Sequence, residues 1–176
     1  MDTQQLLERF SGNHAQFSAH IQSLTEAQFN YSLKGKWTAG QQLKHVYLTL
    51  TPITAALQSK EYIASKFGLI DRPVMTYEEV VQHYTSGLAN GGKSPERFLP
   101  EPVHYSEAPA LHAELQKTVN TISTQLQGYT NEELDTLVLP HPFLGKLTIR
   151  ELMYVMTDHA LLHLGQVKRH VEEMGV

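Results

Sequence analysis

The sequence predicts an all-α protein, a four-helix bundle with one or two short extra helices and a long Pro-rich loop. Apolar residues recur every three or four positions along its long segments, the period of helices that bury one face. A Thr three residues before a Glu or Gln, the pattern of a helix-capping box, precedes three of these segments. No segment shows the convincing alternation of a half-buried strand. A chain of 176 residues suits one domain, residues 1–176, with a substantial core.

The first half of the chain contains two predicted long helices. Residues 3–23 repeat apolar side chains at helical spacing, and His14 occupies one position of that series. Residues 30–37 are predicted to be a loop, after which Thr38 and Gln41 cap a second helix that extends to about residue 59. That helix is apolar on most faces, which predicts burial, and Pro52 is expected to kink it because proline lacks a backbone donor.

The middle of the chain is predicted to hold one helix between two irregular stretches. Residues 60–75 have no clear period and are expected to be irregular. Thr76 and Glu79 cap a third helix that ends near residue 88, before a Gly-Gly pair. Residues 93–109 contain four prolines and are predicted to form a long loop, a kind of segment that is usually functional or mobile.

The last part of the chain is again helical. A fourth long helix is predicted over residues 110–126, and a short helical turn over residues 131–134. Residues 138–146 are rich in turn-forming residues and are expected to be a connector. Thr148 and Glu151 then cap a final helix that reaches at least His170.

Composition excludes several classes of function. Acidic residues outnumber basic ones by 18 to 14, so a nucleic-acid partner, which needs clustered Lys and Arg, is not expected. The absence of Cys excludes disulfides, thiolate zinc sites and a Cys nucleophile, and it fits a reducing cytoplasm. We expect no signal peptide at the N-terminus and no membrane association, because no apolar stretch approaches the roughly 20 residues of a membrane span.

The candidate functional residues are histidines on the final helix. His159 and His163 are four residues apart and therefore lie on one side of that helix, where both rings can reach one metal ion. Leu152, Met156 and Gln166 continue the same stripe, which indicates that it faces the interior. The alternative is a pair of core histidines that are hydrogen-bonded to neighbours, since ten histidines give about half of one such pair by chance.

Three further histidines are candidates for the same site. His45 lies on the buried second helix and is either a third ligand or a residue of the helix flank; three ligands would leave an open, catalytic position. His14 has three possible roles: a fourth ligand, a residue of the site wall or a core histidine. We favour the site wall or the core over a fourth ligand. His141 lies between two prolines and either covers the mouth of the site or turns the chain. The remaining histidines are expected on solvated surfaces: His20, His83, His104, His112 and His170.

Two segments together resemble the DinB-like superfamily, which includes thiol-dependent S-transferases of the bacillithiol and mycothiol type. One segment is residues 35–45, with Trp37, Thr38 and His45; the other runs from His141 through Thr148 and Glu151 to the His159, His163 and Gln166 series. The resemblance implies an up-down-down-up four-helix bundle. It also implies a divalent metal ion, zinc or nickel, held by His45, His159 and His163, and a homodimer.

Two functions are compatible with these residues. The first is a cytoplasmic metal-dependent enzyme whose ion activates a thiol or water, for S-transfer to or hydrolysis of a small molecule. Its small-molecule partner could include a low-molecular-weight thiol; Gln166 would orient a ligand, and His14 and His141 are weaker candidates for proton transfer. The second is a non-catalytic binding or dimerisation module with a vestigial or structural site, closed by a group such as His14 or Glu151.

Overall fold

The computed structural model describes residues 1–175, and within them it contains eight α-helices and one two-stranded antiparallel hairpin. The all-α prediction is therefore confirmed. The helices are α1 Thr3–Gln22, α2 Glu26–Asn30, α3 Ala39–Ala56, α4 Lys60–Phe67, α5 Tyr77–Ala89, α6 Ala108–Leu126, α7 Asn131–Thr136 and α8 Ile149–Glu173. The strands are β1 Val138–His141 and β2 Gly145–Thr148.

The four longest helices form the body of the fold. α1 packs against α6 and α8, and α3 packs against the same two helices, so that the four enclose one core. Their inward faces carry fully buried aromatic and aliphatic side chains, among them Phe10, Phe17, Leu43, Leu50 and Ile122. Burial of such side chains stabilises the fold by about 1.5–3 kcal/mol each relative to solvent exposure. No helix within residues 1–175 combines the length and the hydropathy that crossing a bilayer requires.

Capping boxes define where the helices begin. The three boxes predicted from the sequence, at Thr38, Thr76 and Thr148, are all formed, with each Thr side chain accepting a bond from the backbone three residues later. Three more boxes start α1, α2 and α7, at Asp2, Thr25 and Thr130. Each such cap is worth about 1 kcal/mol.

The irregular stretch predicted for residues 60–75 is corrected in part, because α4 occupies its first half. Ser59 caps this helix, and Ile63 is fully buried. α2 was also missed; Phe29 anchors it in the core. Helices of five to eight residues have room for only one or two inward positions, so they show no apolar period.

The connector predicted for residues 138–146 is a β-hairpin instead. β1 pairs with β2 from Val138 opposite Thr148 to His141 opposite Gly145. Gly145 has a φ of 73°, a conformation that favours glycine at the end of the turn. Strands of four residues, one with a Pro, are too short for alternation to identify.

Two proline-containing segments complete the fold. α3 runs through Pro52 to Ala56 as one helix, in which the proline removes a single backbone donor. The Pro-rich loop contains two short 3-10 helices, Glu96–Phe98 and Tyr105–Glu107, and its Phe98 and Pro100 are buried against the helices. The loop thereby becomes one wall of the site described below.

Candidate metal site

Three imidazole rings meet between α3 and α8. His45 comes from α3, while His159 and His163 lie one turn apart on α8 with ring centroids 4.4 Å apart. The Nε2 atom of His159 is 3.2 Å from Nε2 of His45 and 2.9 Å from Nε2 of His163. All three residues are buried. The structure thus brings together the three histidines that the sequence distributes over two helices.

Hydrogen bonds at the far side of two rings orient them. Nδ1 of His45 donates to the backbone carbonyl of Phe98 at 2.8 Å, and Nδ1 of His163 donates to Oε1 of Gln42. Because both partners are carbonyl oxygens that only accept, the proton of each neutral ring is on Nδ1. The Nε2 atoms of His45 and His163 therefore carry lone pairs, and both point toward His159.

Gln42 connects this cluster to Gln166. The Nε2 amide group of Gln42 donates to Oε1 of Gln166 at 3.0 Å, so the chain of contacts runs from His163 through Gln42 to Gln166. Gln166 was expected to orient a ligand; its side chain is hydrogen-bonded to Gln42, and the residue lines the cavity beside the cluster. Sequence reasoning missed Gln42, although its place three residues before His45 puts both on one face of α3. No local signal could have identified the Phe98 carbonyl.

The environment keeps all three rings neutral. Burial lowers the pKa of His163 and of His159 well below the ordinary value for histidine, and neighbouring histidines lower both further. Burial also lowers the pKa of His45, partly offset by its bond to the Phe98 carbonyl. Neutral imidazole is the form that binds metal ions, so no proton needs to leave the site at pH 7.

The arrangement fits a divalent cation. Zn–N distances of about 2.0–2.1 Å place the nitrogens of a tetrahedral site about 3.3 Å apart. The observed separations of 2.9 and 3.2 Å are close to that value. A cation between the three rings would accept a lone pair from each Nε2 atom, and among the described residues these three histidines form the one group with metal-ligand spacing. Three nitrogens leave at least one coordination position open.

A cavity of about 500 Å³ adjoins the three histidines. Its walls are mostly apolar, and of the described residues that line it Arg97 alone carries a charge. α3, α8, the β-hairpin and the Pro-rich loop all contribute, for example through Ile53, Met156, Leu139 and Phe98. A cavity of this size and polarity is typical of sites for small molecules.

His141 belongs to the wall of this cavity. The hairpin tip packs the ring of Phe143 against Tyr84, with centroids 5.7 Å apart, and against His141 at 4.6 Å. Nδ1 of His141 is buried and has no hydrogen-bond partner, and burial lowers the pKa of this residue to about 4. His141 therefore presents a neutral ring at the wall of the cavity.

The other proposed ligands do not join the cluster. His14 is a buried residue of α1 whose Nδ1 donates to the Phe10 carbonyl at 2.8 Å, and it is outside the three-histidine group. Glu151, suggested as a group that closes the site, is fully buried elsewhere and binds both guanidinium nitrogens of Arg72 at 2.7 Å. That suggestion for Glu151 is wrong, because its oxygens also accept from two backbone amides.

Two histidines that were expected on the surface are buried instead. His112 lies on the inward face of α6 and shares a hydrogen bond of 2.7 Å with Ser18, and His170 is buried near the end of α8. Each lies three residues from a core apolar residue, Leu115 for His112 and Val167 for His170, which places it on the buried face. His83 and His104 are exposed, as expected.

Fold and site together define a helical protein with a candidate three-histidine site for a divalent cation. The family model of the DinB superfamily matches residues 9–167. The chain therefore belongs to the DinB superfamily. A search of curated proteins gives no significant match.

Proposed function

We propose that this protein is a divalent-metal-dependent enzyme that activates a thiol or a water molecule for S-transfer to, or hydrolysis of, a small molecule. The observation that carries the proposal is the meeting of the Nε2 atoms of His45, His159 and His163 at the wall of an apolar cavity. Ligands from three residues leave room for a reactant to reach the ion, and the cavity gives a substrate somewhere to bind.

The three histidines would bind the cation, and hydrogen bonds to neighbouring residues would orient the histidine rings. A bound divalent ion lowers the pKa of a thiol or water so that it is nucleophilic at neutral pH. The Phe98 carbonyl and Gln42 keep Nε2 of His45 and His163 directed at one point. Such orienting contacts commonly change metal affinity by about 10- to 100-fold.

The remaining wall residues would bind the substrate and handle its proton. Apolar side chains from α3, α8 and the hairpin exclude water and bury a carbon skeleton. Arg97 offers a positive charge to an anionic substituent. His141, which is neutral at pH 7 and lines the cavity, would accept a proton or a hydrogen bond from a reactant.

The open coordination position favours an enzyme over a non-catalytic module. A structural site would need a fourth protein ligand, and Glu151 is engaged by Arg72 while His14 is bonded to Phe10. As the resemblance implies, we propose zinc or nickel as the ion and a homodimer as the assembly. We also propose the cytoplasm as the location, which the absence of Cys fits.

Metal analysis of the purified protein tests the site. We expect about one zinc or nickel ion per chain after incubation with the metal and gel filtration, and a value near zero for His163→Ala and His45→Ala. His83→Ala, at an exposed position of α5, is the matched control and should retain the wild-type stoichiometry. A wild-type protein that retains no divalent ion would end the proposal.

Two assays on the metal-loaded protein separate the reactions. A low-molecular-weight thiol and an aryl chloride would give a thioether; the S–C bond forms, chloride leaves and the thiol proton passes to a base. An activated ester in the absence of thiol reports hydrolysis. We expect activity in one assay that disappears in His163→Ala. A metal-loaded protein that is inactive with broad panels of both substrate types supports the non-catalytic module instead.

A further inference from the structure

His159 differs from its two partners in the cluster. Each of the others donates its Nδ1 proton to a carbonyl oxygen, whereas Nδ1 of His159 is buried and has no hydrogen-bond partner. A metal-binding histidine almost always uses its second ring nitrogen in a hydrogen bond. A buried N–H without one costs about 1–3 kcal/mol.

A second unpartnered nitrogen belongs to His14 on α1. This residue is only 2% exposed, and its Nδ1 donates to the Phe10 carbonyl at 2.8 Å. The ring proton is therefore on Nδ1, and Nε2 is a hydrogen-bond acceptor. That Nε2 atom is also buried without a partner. When a cation occupies Nε2 of His159, the ring proton is on Nδ1, so one buried donor and one buried acceptor are left on two helices that pack together.

Several contacts place these two histidines in the same part of the interface between α1 and α8. α1 packs against α8 more extensively than any other pair of elements in residues 1–175. Asn13, the neighbour of His14, donates to the backbone carbonyl of Thr157, two residues before His159, at 3.0 Å. A proton on His14 would also lower the pKa of His159, and more strongly than one on His141 would.

We infer that His14 is a positioning residue for the metal site: Nδ1–H of His159 donates to one buried water molecule, which donates to Nε2 of His14. We place a water between them because the two atoms make no hydrogen bond to each other, and buried waters bridge polar groups that lack a partner. The bridge holds the proton of His159 on Nδ1 and directs its Nε2 at the cation. The inference rests on the proposed function, since it concerns the orientation of a ligand.

Zinc affinity of His14 variants tests the inference. His14→Leu removes the acceptor, and we expect its zinc Kd, measured by competition with a chromophoric chelator, to rise by about 10- to 100-fold. His14→Gln retains an acceptor oxygen and should lose less affinity. His112→Leu is the matched control, because His112 is also buried with an unpartnered Nε2 but lies on α6, outside the three-histidine group. Its zinc Kd should equal that of the wild type.

A purely structural role for His14 would give a different result. If His14 only stabilised the fold, its replacement would lower the melting temperature of the metal-free protein. Zinc would then raise the melting temperature of the variant by as much as it raises that of the wild type. That outcome, or a wild-type zinc Kd in His14→Leu, would overturn the inference. If His14→Leu does not fold, His14→Met serves as the apolar variant. Loss of affinity in His141→Leu but not in the His14 variants would assign the contact to His141. Failure of the proposed function is distinguishable, because the wild type itself would then bind no zinc.

Discussion

Gln42 is the residue on which the orientation of His163 depends. Its side-chain oxygen accepts from Nδ1 of His163, and its side-chain amide donates to Gln166, so both ends of a buried amide are paired. A side-chain amide suits this position, because it accepts from one neighbour and donates to the other. The side chain is 2% exposed, and water cannot easily replace it.

Replacement of Gln42 by Leu should weaken metal binding. The substitution leaves Nδ1–H of His163 without an acceptor, and we expect the Kd for zinc to rise by about 10- to 100-fold. Isothermal titration with zinc measures the change, and Gln82→Leu, on the exposed face of α5, is the control. Equal affinities in wild type and Gln42→Leu would show that Gln42 does not orient the ligand.

At the scale of single elements, Gly40 permits α2 and α3 to pack closely. A Cβ atom at Gly40 would lie 2.5 Å from the ring of Phe29 and 3.1 Å from Val103. Phe29 is fully buried, so its ring has no free space to move into. The first turn of α3, which leads to Gln42 and His45, is held against α2 by this contact.

The substitution Gly40→Ala should destabilise the protein, whereas Gly12→Ala should stabilise it. Overpacking at Gly40 costs about 1–3 kcal/mol. Gly12 lies in α1 with no atom within 4 Å of an added Cβ, so Ala there should gain about 0.5–1 kcal/mol in helix propensity. Urea unfolding of both variants measures the free energies. If both substitutions changed the free energy of unfolding in the same direction, the packing argument would be contradicted.

The start of α8 depends on an ion pair with the segment before α5. Glu151 caps this helix and is fully buried, and Arg72 binds both of its oxygens. Its backbone partner Met75 ties the same segment to α8 at 2.7 Å. This pairing fixes the helix that supplies His159 and His163.

Removal of Arg72 should cost stability because it leaves a buried carboxylate without its counter-ion. We expect Arg72→Met to lower the free energy of unfolding by about 3 kcal/mol at pH 7. Lys66→Met, at an exposed position of α4, should change it by less than about 0.5 kcal/mol. Chemical denaturation provides both values, and a near-neutral Arg72→Met would mean that the two backbone donors suffice for Glu151.

For the whole molecule, buried neutral histidines couple stability to pH. Burial lowers the pKa of His14 to about 4, and it lowers the pKa of His45, His159 and His163 as well. In the unfolded chain these rings take up protons near pH 6.5, so the unfolded state binds more protons than the folded state below that pH. Burial of these neutral rings therefore does not lower the free energy of unfolding above pH 6.5. Below that pH it lowers the free energy of unfolding increasingly.

The metal-free protein should lose stability as the pH falls from 6.5 toward 4. For His14 alone the loss approaches about 3 kcal/mol once the pH reaches the folded-state pKa. Urea unfolding at intervals from pH 7 to pH 4.5 tests this, since carboxylates with lowered pKa, such as Glu133, contribute mainly below that range. His14→Leu should show a shallower decline than the wild type. A stability that is constant from pH 7 to pH 5 would contradict the argument.

Local patterns were sufficient for much of the fold and part of the site. The capping boxes at Thr38, Thr76 and Thr148 form as predicted because a Thr and a Glu or Gln three residues later meet within one turn. The pairing of His159 with His163 follows from helix geometry alone. The short helices α2 and α4 and the hairpin were missed because their stability comes from distant contacts, such as the burial of Ile63 and of Leu147.

The amino-acid sequence by itself determined the helical class, the ends of the main helices and the side of α8 that carries two histidines, because all of these depend on residues within a few positions of one another. Only the tertiary structure decided that Nε2 of His45 lies 3.2 Å from Nε2 of His159, that Phe98 and Gln42 orient the rings, and that the hairpin and the Pro-rich loop enclose a cavity beside them. Those contacts join residues 53 to 121 positions apart, and their distances depend on how the helices pack, which no local period in the chain encodes.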